Sequence, residues 1–193
     1  SVGGAGIRAL RRLDVPVRDG VCEEENRWLN RAYFYRQKTG YPWIDLKLAL
    51  SADGYLATPT RHSQWITGEE SRAAGHRLRN RVDAVMVGAG TLRDDNPRLT
   101  DRVTGDDRQP RAVVVARSSR GLSLDQKLFQ DRPRETILVI PPTFESTLRS
   151  RLSDRGVTIL LADQYGDRFD WRQVLPRLAR LNVGRILVEG GAG

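Results

Sequence analysis

The chain has 193 residues, of which 39% are hydrophobic and 29% are charged, so it can bury a core and extensive disorder is excluded. Its formal net charge is +8, but three of its 32 basic residues are lysines and the remaining 29 arginines are scattered among 24 acidic residues. A nucleic-acid-binding surface usually concentrates its basic residues in a stripe or tail with aromatic residues between them. We therefore expect no nucleic-acid partner.

The same composition argues against a membrane protein. No apolar run approaches the roughly 20 residues of a membrane-spanning helix, and no charged-then-apolar leader is visible. The single cysteine, Cys22, has no internal partner for a disulfide. Because unpaired thiols are usual in reducing compartments, we expect a cytoplasmic protein.

Residues 1–40 form a segment that is too short for a core of its own. Apolar residues at helical spacing predict a first helix within 4–13, and the acidic run after Cys22 predicts the start of a second helix that continues to Gly40. We interpret 1–40 as the tail of a preceding domain followed by a linker helix, and 41–193 as the main domain.

From Trp43 onward, short apolar runs alternate with segments of helical periodicity. The predicted strands are 43–50, 83–88, 111–116, 136–140, 157–161 and 185–189. The predicted helices are 68–81, 143–155 and 170–181. Several strands are apolar throughout, as strands are when helices cover both faces of a sheet. The alternation predicts an α/β fold with a doubly wound, mostly parallel sheet.

Local signals around helix 68–81 allow two finer predictions. The tetrapeptide Thr67-Gly68-Glu69-Glu70 has the spacing of a capping box, in which the threonine hydroxyl and a glutamate satisfy free backbone donors. His76 is expected to face solvent. The other histidine, His62, forms no metal-ligand spacing with His76 or Cys22, so no metal site is predicted.

Glycine turns follow two of the predicted strands. Gly88-Ala89-Gly90-Thr91 ends one strand, and Glu189-Gly190-Gly191-Ala192-Gly193 ends the last. Glycines at such turns let backbone amides approach a phosphate group. The carboxyl ends of strands in an open α/β sheet form the ligand crevice. The two turns therefore predict either a dinucleotide site or tight strand–loop packing without a ligand.

Four side chains near these turns have two interpretations each. Arg79 and Arg102 are either bidentate clamps for a phosphate or surface residues. Trp65 either stacks on a planar ring or anchors the core. Asp95 either accepts hydrogen bonds from ribose hydroxyls or caps the following turn. The residue types alone leave these alternatives open.

In their order and spacing, these motifs resemble the reductase domain of the bifunctional riboflavin-biosynthesis deaminase/reductase family, which has a dihydrofolate-reductase-like fold. The matching segments are Leu46-Lys47-Leu48-Ala49, Ser51-Ala52-Asp53-Gly54, Ser63-Gln64-Trp65-Ile66-Thr67, Val87-Gly88-Ala89-Gly90-Thr91, Asp95-Asn96-Pro97 with Leu99-Thr100, and Val188-Glu189-Gly190-Gly191. Residues 4–36 resemble the end of the family's zinc-dependent deaminase domain, whose catalytic body and zinc would precede Ser1. The resemblance also implies that the reductase domain continues past Gly193, so that 41–193 is incomplete.

The resemblance implies a reaction, a cofactor and a set of contact residues. The reaction is the NADPH-dependent reduction of 5-amino-6-(5-phosphoribosylamino)uracil, in which the ribose becomes a ribityl chain. The implied NADPH contacts are Ala49, Trp65, Thr91, Asp95, Ser118, Gly191, Ala192 and Gly193. The implied substrate contacts are Ser63, Arg79, Leu99, Arg102 and Glu189, with the two arginines on the phosphate. Glu189 is also the candidate catalytic residue, as a proton donor or as a hydrogen-bond partner of the ribose.

Two departures from the family pattern concern loops. Ala52 stands where the family usually has leucine, and Arg61-His62 replaces a common small-then-acidic pair before Ser63. Family members are often dimers, so a homodimer is expected. Three other functions stay open, namely a related NADPH reductase with a different pteridine or pyrimidine substrate, a basic nucleic-acid-binding module, and a structural partner without activity.

Overall fold

The computed structural model describes residues 3–56, 67–105 and 108–190. The strands in chain order are β1 (Trp43–Lys47), β2 (Ala84–Gly88), β3 (Arg111–Val115), β4 (Thr136–Ile140), β5 (Thr158–Leu161), β6 (Gln164–Tyr165), β7 (Arg168–Phe169) and β8 (Arg185–Glu189). The helices are α1 (Ala5–Arg12), α2 (Glu23–Leu29), α3 (Arg31–Thr39), α4 (Glu69–Asn80), α5 (Ala89–Asp95), α6 (Lys127–Asp131), α7 (Ser146–Asp154) and α8 (Trp171–Arg180). None of these described helices has the length and hydropathy of a membrane span.

Six of the strands form one sheet in which every neighbouring pair is parallel. The order across the sheet is β1-β8-β2-β3-β4-β5, so the last strand of the sheet in chain order lies between the first two. The short strands β6 and β7 form a separate antiparallel pair. The prediction of a doubly wound, mostly parallel α/β fold is confirmed, and all six predicted strands are present within a few residues of their predicted bounds.

The core consists of two clusters, one on each face of the sheet. Alternate side chains of one strand enter different clusters, as Val85 and Met86 do in β2. Helices supply the other wall of each cluster. The helical residues are Leu92, Leu128, Phe129 and Leu152 on the first face and Val174 and Leu178 on the second. Burial on both faces explains why the central strands are apolar throughout.

The three N-terminal helices add no buried side chain to this core. Leu13, Trp28 and Leu29 are 74%, 70% and 75% exposed. Contact with the main domain runs through α3, where Arg36 Nη2 donates to the carbonyl of Ala179 at 2.9 Å. This segment therefore packs along the edge of the domain and leaves an apolar surface open.

The prediction of one continuous helix from Cys22 to Gly40 is wrong, because Asn30 divides it. Asn30 has φ −97° and ψ 18°, and it ends α2 and precedes α3. Its side-chain Nδ2 donates to the carbonyl of Asn26 at 3.1 Å. Asparagine side chains compete in this way with backbone hydrogen bonds, so the break has a local cause.

The predicted capping box before α4 is also wrong. The residue that precedes the first helical residue is Gly68, which is extended and makes no side-chain cap. Because the helix begins at Glu69, Thr67 lies one position too early to cap it. The carbonyl of Thr67 instead accepts a hydrogen bond of 2.9 Å from Arg72 Nη1.

Asp83, directly before β2, joins the amino ends of neighbouring strands. Its Oδ2 accepts hydrogen bonds of 2.9 Å from the amides of Gly184 and Arg185 at the start of β8. Its Oδ1 accepts a hydrogen bond of 2.7 Å from Arg108 Nη2. Its backbone carbonyl accepts from the amide of Arg111 at the start of β3. One carboxylate thus satisfies backbone donors that the sheet leaves unpaired.

Replacing Asp83 with alanine is expected to lower the free energy of unfolding by about 2–3 kcal/mol, because two backbone amides lose a charged acceptor. Asp83→Asn keeps one acceptor oxygen and is expected to cost about 1 kcal/mol. Urea unfolding of the parent and both variants measures these differences. Asp19→Ala, which removes an exposed partner of Arg11, is the control. Equal stability of Asp83→Ala and the parent would contradict the stabilising role of the Asp83 carboxylate.

Candidate functional site

The carboxyl ends of β1, β8 and β2 meet at one edge of the sheet. The three strands end at Lys47, Glu189 and Gly88, and the strand register places Lys47 directly opposite Glu189. Side chains at the carboxyl ends of parallel strands line the crevice in which open α/β folds bind their ligands. This edge is therefore the candidate functional site.

Glu189 forms a bidentate ion pair with Arg79, which lies in the last turn of α4. Arg79 Nε is 2.7 Å from Glu189 Oε1, and Arg79 Nη2 is 2.8 Å from Glu189 Oε2. The two side chains are only 17% and 15% exposed, so water screens this pair weakly. Paired charge-assisted hydrogen bonds of this length define the orientation of both groups. The interaction joins a helix to a strand end that is 110 residues away in sequence.

The carbonyl oxygen of Thr100 holds the other side of the Arg79 guanidinium. Arg79 Nη1 donates to this oxygen at 3.0 Å, and His76 Nδ1 lies 3.2 Å from it. Burial and then the charge of Arg79 lower the pKa of His76, and the hydrogen bond to the Thr100 carbonyl partly opposes this shift. The prediction that His76 faces solvent is wrong, because the Thr100 loop partly covers it.

The loop that carries Thr100 is held by the residue that follows it. Asp101 is 6% exposed, and its carboxylate accepts hydrogen bonds from the amides of Val103 at 3.0 Å and Thr104 at 3.3 Å and from the Thr104 hydroxyl. Asn80 Nδ2, at the end of α4, lies 3.4 Å from Asp101 Oδ2. The Thr104 hydroxyl bond lowers the pKa of Asp101 to about 2, against the opposing effect of burial. The carboxylate is thus ionised at neutral pH.

Lys47 belongs to this edge, although the sequence analysis did not assign it to the site. It ends β1 opposite Glu189, and a Cβ built on Gly75 of α4 would lie 3.9 Å from Lys47 Cε. The lysine side chain therefore runs close to α4. The signal that could have identified it is an ionisable residue at the end of an apolar strand, which is the signal that indicated Glu189.

Several predicted cofactor contacts also lie beyond the carboxyl ends of strands. Thr91 and Asp95 are in α5, which begins directly after β2 with Gly88 as its N-cap residue. Ala49 follows β1, and Ser118 follows β3. Their positions suit a ligand bound along this edge, and their contacts with NADPH stay predictions.

The predicted substrate contacts differ in exposure. Leu99 is 1% exposed, has φ +53°, and packs its side chain into the first core cluster, so a contact with substrate would come from its backbone. Arg102 is exposed.

Within the ranges that the structure describes, no group of three or more His, Cys, Asp or Glu side chains could hold a metal ion. Five predicted contacts lie outside the described residues, namely Ser63, Trp65, Gly191, Ala192 and Gly193.

A family model described as "RibD C-terminal domain" matches residues 42–193. The chain is 34% identical over 190 residues to the riboflavin biosynthesis protein RibD of Aquifex aeolicus, covering 98% of the chain and 51% of that relative. It is 35% identical over 191 residues to RibD of Chlamydia trachomatis, covering 97% of the chain and 50% of that relative. The chain thus spans about half the length of the curated relatives it matches.

Two solved structures have the same fold over nearly the whole chain. Acinetobacter baumannii RibD superposes with a TM-score of 0.81 at 27% identity, covering 97% of this chain and 51% of that one. The Thermotoga maritima diaminohydroxyphosphoribosylaminopyrimidine deaminase/5-amino-6-(5-phosphoribosylamino)uracil reductase superposes with a TM-score of 0.80 at 28% identity, covering 97% and 50%.

Proposed function

The chain belongs to the RibD C-terminal domain family, and on this premise we propose that it is the reductase part of a riboflavin-biosynthesis enzyme. The family match confirms the family predicted from the strand-end motifs. The proposed reaction is the NADPH-dependent reduction of 5-amino-6-(5-phosphoribosylamino)uracil to the ribitylamino product. The observation that carries this proposal is the shielded Arg79–Glu189 pair at the carboxyl edge of the sheet, where a sugar phosphate would lie.

The polar groups of this edge suit a dinucleotide. A Cβ built on Gly88 would meet no described atom within 4 Å, so a ligand has room to approach the backbone where β2 ends. The residues that would hold NADPH are Ala49, Thr91, Asp95 and Ser118, together with the predicted contacts outside the described residues. When bound, NADPH supplies a hydride, and the protein supplies alignment and charge.

Arg79 can bind a substrate phosphate without releasing Glu189. Of the five N–H donors of its guanidinium, two bond Glu189 and one bonds the Thr100 carbonyl. Among the described contacts, one hydrogen each on Nη1 and Nη2 has no acceptor and could bond phosphate oxygens. The exposed Arg102, two residues after Thr100, would add a second guanidinium.

Glu189 is better suited to accept hydrogen bonds than to donate a proton in this arrangement. Both of its oxygens already accept hydrogen bonds from the Arg79 guanidinium, at 2.7 and 2.8 Å. We therefore assign Glu189 the role of an acceptor for a ribose hydroxyl of the substrate. Proton donation by Glu189 would require Arg79 to move away first.

The proposal is tested with the full-length natural protein by following the loss of NADPH absorbance in the presence of the phosphorylated aminopyrimidine. We expect turnover with this substrate and at least a tenfold lower kcat/KM with its dephosphorylated form, because two arginines lose their anionic partner. A folded protein without turnover would refute the reductase proposal. Equal turnover of the two forms would favour a related reductase with a substrate that carries no phosphate.

We also propose that residues 1–40 form the end of a deaminase domain. The support is the open apolar surface of α1 to α3, including Trp28 and Leu29. A preceding domain would cover such a surface. Quenching of Trp28 fluorescence by acrylamide should therefore be weaker in the longer natural chain than in residues 1–193, with Trp28→Phe identifying its signal. Equal quenching would contradict this boundary.

We also propose a cytoplasmic location, from the single unpaired cysteine, and a homodimer, from the family resemblance. These two proposals have separate tests. Cell fractionation checks the compartment, and light scattering of the full-length protein checks the subunit number. A monomer over the whole accessible concentration range would contradict the dimer.

A further inference from the structure

We propose that Asp101 is a positioning residue for the Arg79–Glu189 pair, because it holds the loop 99–104 so that the Thr100 carbonyl meets the Arg79 guanidinium. Asp101 itself touches neither Arg79 nor Glu189 in the described contacts. Its kinetic consequence rests on the proposed reductase function, whereas its effect on Arg79 does not.

The Asp101 side chain closes a short turn. Its side chain accepts hydrogen bonds from Val103 and Thr104, two and three residues later, which fixes the backbone that follows it. Its own amide donates to Gln109 Oε1 at 2.9 Å. The peptide unit between Thr100 and Asp101 is thereby held from its amide side, and the carbonyl of that same unit is the acceptor for Arg79.

This turn is attached to α4, the helix that carries Arg79. Asn80 directly follows Arg79, and its Nδ2 donates to Thr104 Oγ1 at 2.9 Å and lies 3.4 Å from Asp101 Oδ2. Consecutive helix residues therefore contact consecutive loop residues, Arg79 with Thr100 and Asn80 with Asp101. A shift of the loop along α4 would break both contacts together.

The Thr100 carbonyl restricts the orientation of the Arg79 side chain. The bidentate bond to Glu189 holds one edge of the guanidinium, and the Thr100 carbonyl holds Nη1 on the other side. Arginine has a long, flexible side chain, so each additional contact reduces the number of orientations it adopts. The acceptor is a backbone oxygen, so its position depends on the loop and not on the side chain at position 100.

The kinetic experiment uses Asp101→Asn in the full-length protein. We expect KM for the phosphorylated aminopyrimidine to rise about fivefold, as for the weakening of one hydrogen bond, with kcat changed less than about twofold. Asp83→Asn is the matched control, because Asp83 also holds backbone amides but lies at the amino ends of the strands. It should reduce stability without raising KM. Unchanged KM in Asp101→Asn, or an equal rise in both variants, would overturn the proposal.

A second experiment does not depend on activity. Exchange of the Arg79 Nε–H with water is measured by NMR of the full-length protein, with the signal assigned by its loss in Arg79→Lys. We expect exchange about five to ten times faster in Asp101→Asn and unchanged in Asp83→Asn. Unchanged exchange in Asp101→Asn would overturn the proposal. This result is informative even if the parent shows no turnover, which would refute only the reductase function.

A further variant keeps the test valid if Asp101→Asn does not fold. Thr104→Val removes the hydroxyl that donates to Asp101 while it preserves the side-chain volume. We expect faster exchange of the Arg79 Nε–H and a higher KM, as in Asp101→Asn. Both changes should be smaller than in Asp101→Asn, because the two backbone amides still hold the carboxylate. A folded Thr104→Val protein with parental exchange and parental KM would count against the role of the turn.

Discussion

Replacing Glu189 with glutamine is expected to lower kcat/KM for the phosphorylated aminopyrimidine by about a hundredfold, within the range found for groups that act at the reacting centre. The substitution preserves shape but removes the negative charge that pairs with Arg79 at 2.7 and 2.8 Å. A neutral amide is a weaker acceptor for a ribose hydroxyl and leaves the guanidinium without its counter-charge. Steady-state kinetics of the full-length protein, followed by NADPH absorbance, measures the effect.

The control for Glu189→Gln is Glu145→Gln, which changes an exposed glutamate before α7. We expect parental kinetics in that variant. NADPH affinity, measured by fluorescence, should change less than about threefold in Glu189→Gln because the predicted cofactor contacts are other residues. A kcat/KM within about fivefold of the parent would contradict the assignment of Glu189 to the reacting centre.

Replacing Arg79 with methionine is expected to lower the free energy of unfolding by about 2–3 kcal/mol at pH 7. The loss follows from a carboxylate that is 15% exposed and that, among the described contacts, keeps no other cation bonded to it. Urea unfolding of both proteins at pH 7 measures the difference.

Two further variants make the Arg79 prediction specific. Arg79→Met combined with Glu189→Gln should recover more than half of the lost stability, because no uncompensated charge remains. Arg27→Met removes an ion pair whose side chains are 72% and 58% exposed and should cost less than about 1 kcal/mol. Additive losses in the double variant, or an equal loss in Arg27→Met, would show that the pair is not coupled as described.

The contact between Arg79 and Glu189 depends on the order of the strands in the sheet. Arg79 is placed by the last turn of α4, and Glu189 is placed by β8, which lies between β1 and β2. If β8 paired at the outer edge of the sheet, Glu189 would not lie between the strands β1 and β2. The strand order is therefore a condition for the site.

The sequence by itself determined the class of fold. Continuous apolar runs at 112–115 and 137–140, separated by segments of helical periodicity, are sufficient to predict buried parallel strands because the hydrophobic pattern is local. It also located the candidate edge, since polar and glycine residues that end apolar strands must lie at the carboxyl side of a parallel sheet. Glu189 was predicted in this way, and its functional role stays a prediction.

Finer local predictions failed where another local interaction was stronger. The break at Asn30 depends on a side chain that bonds the carbonyl of Asn26, and the shift of the α4 start depends on the extended Gly68. The competing hydrogen bonds differ by about 1 kcal/mol or less, which residue patterns do not resolve.

Only the tertiary structure decided which polar groups meet. The insertion of β8 between β1 and β2 brings Glu189 to Arg79, and the fold of the Asp101 turn brings the Thr100 carbonyl to the same guanidinium. It also half-buries His76, which a helical pattern assigns to solvent. These contacts join residues 21 to 110 positions apart, so their formation depends on strand order and on packing between elements, which no local sequence pattern encodes.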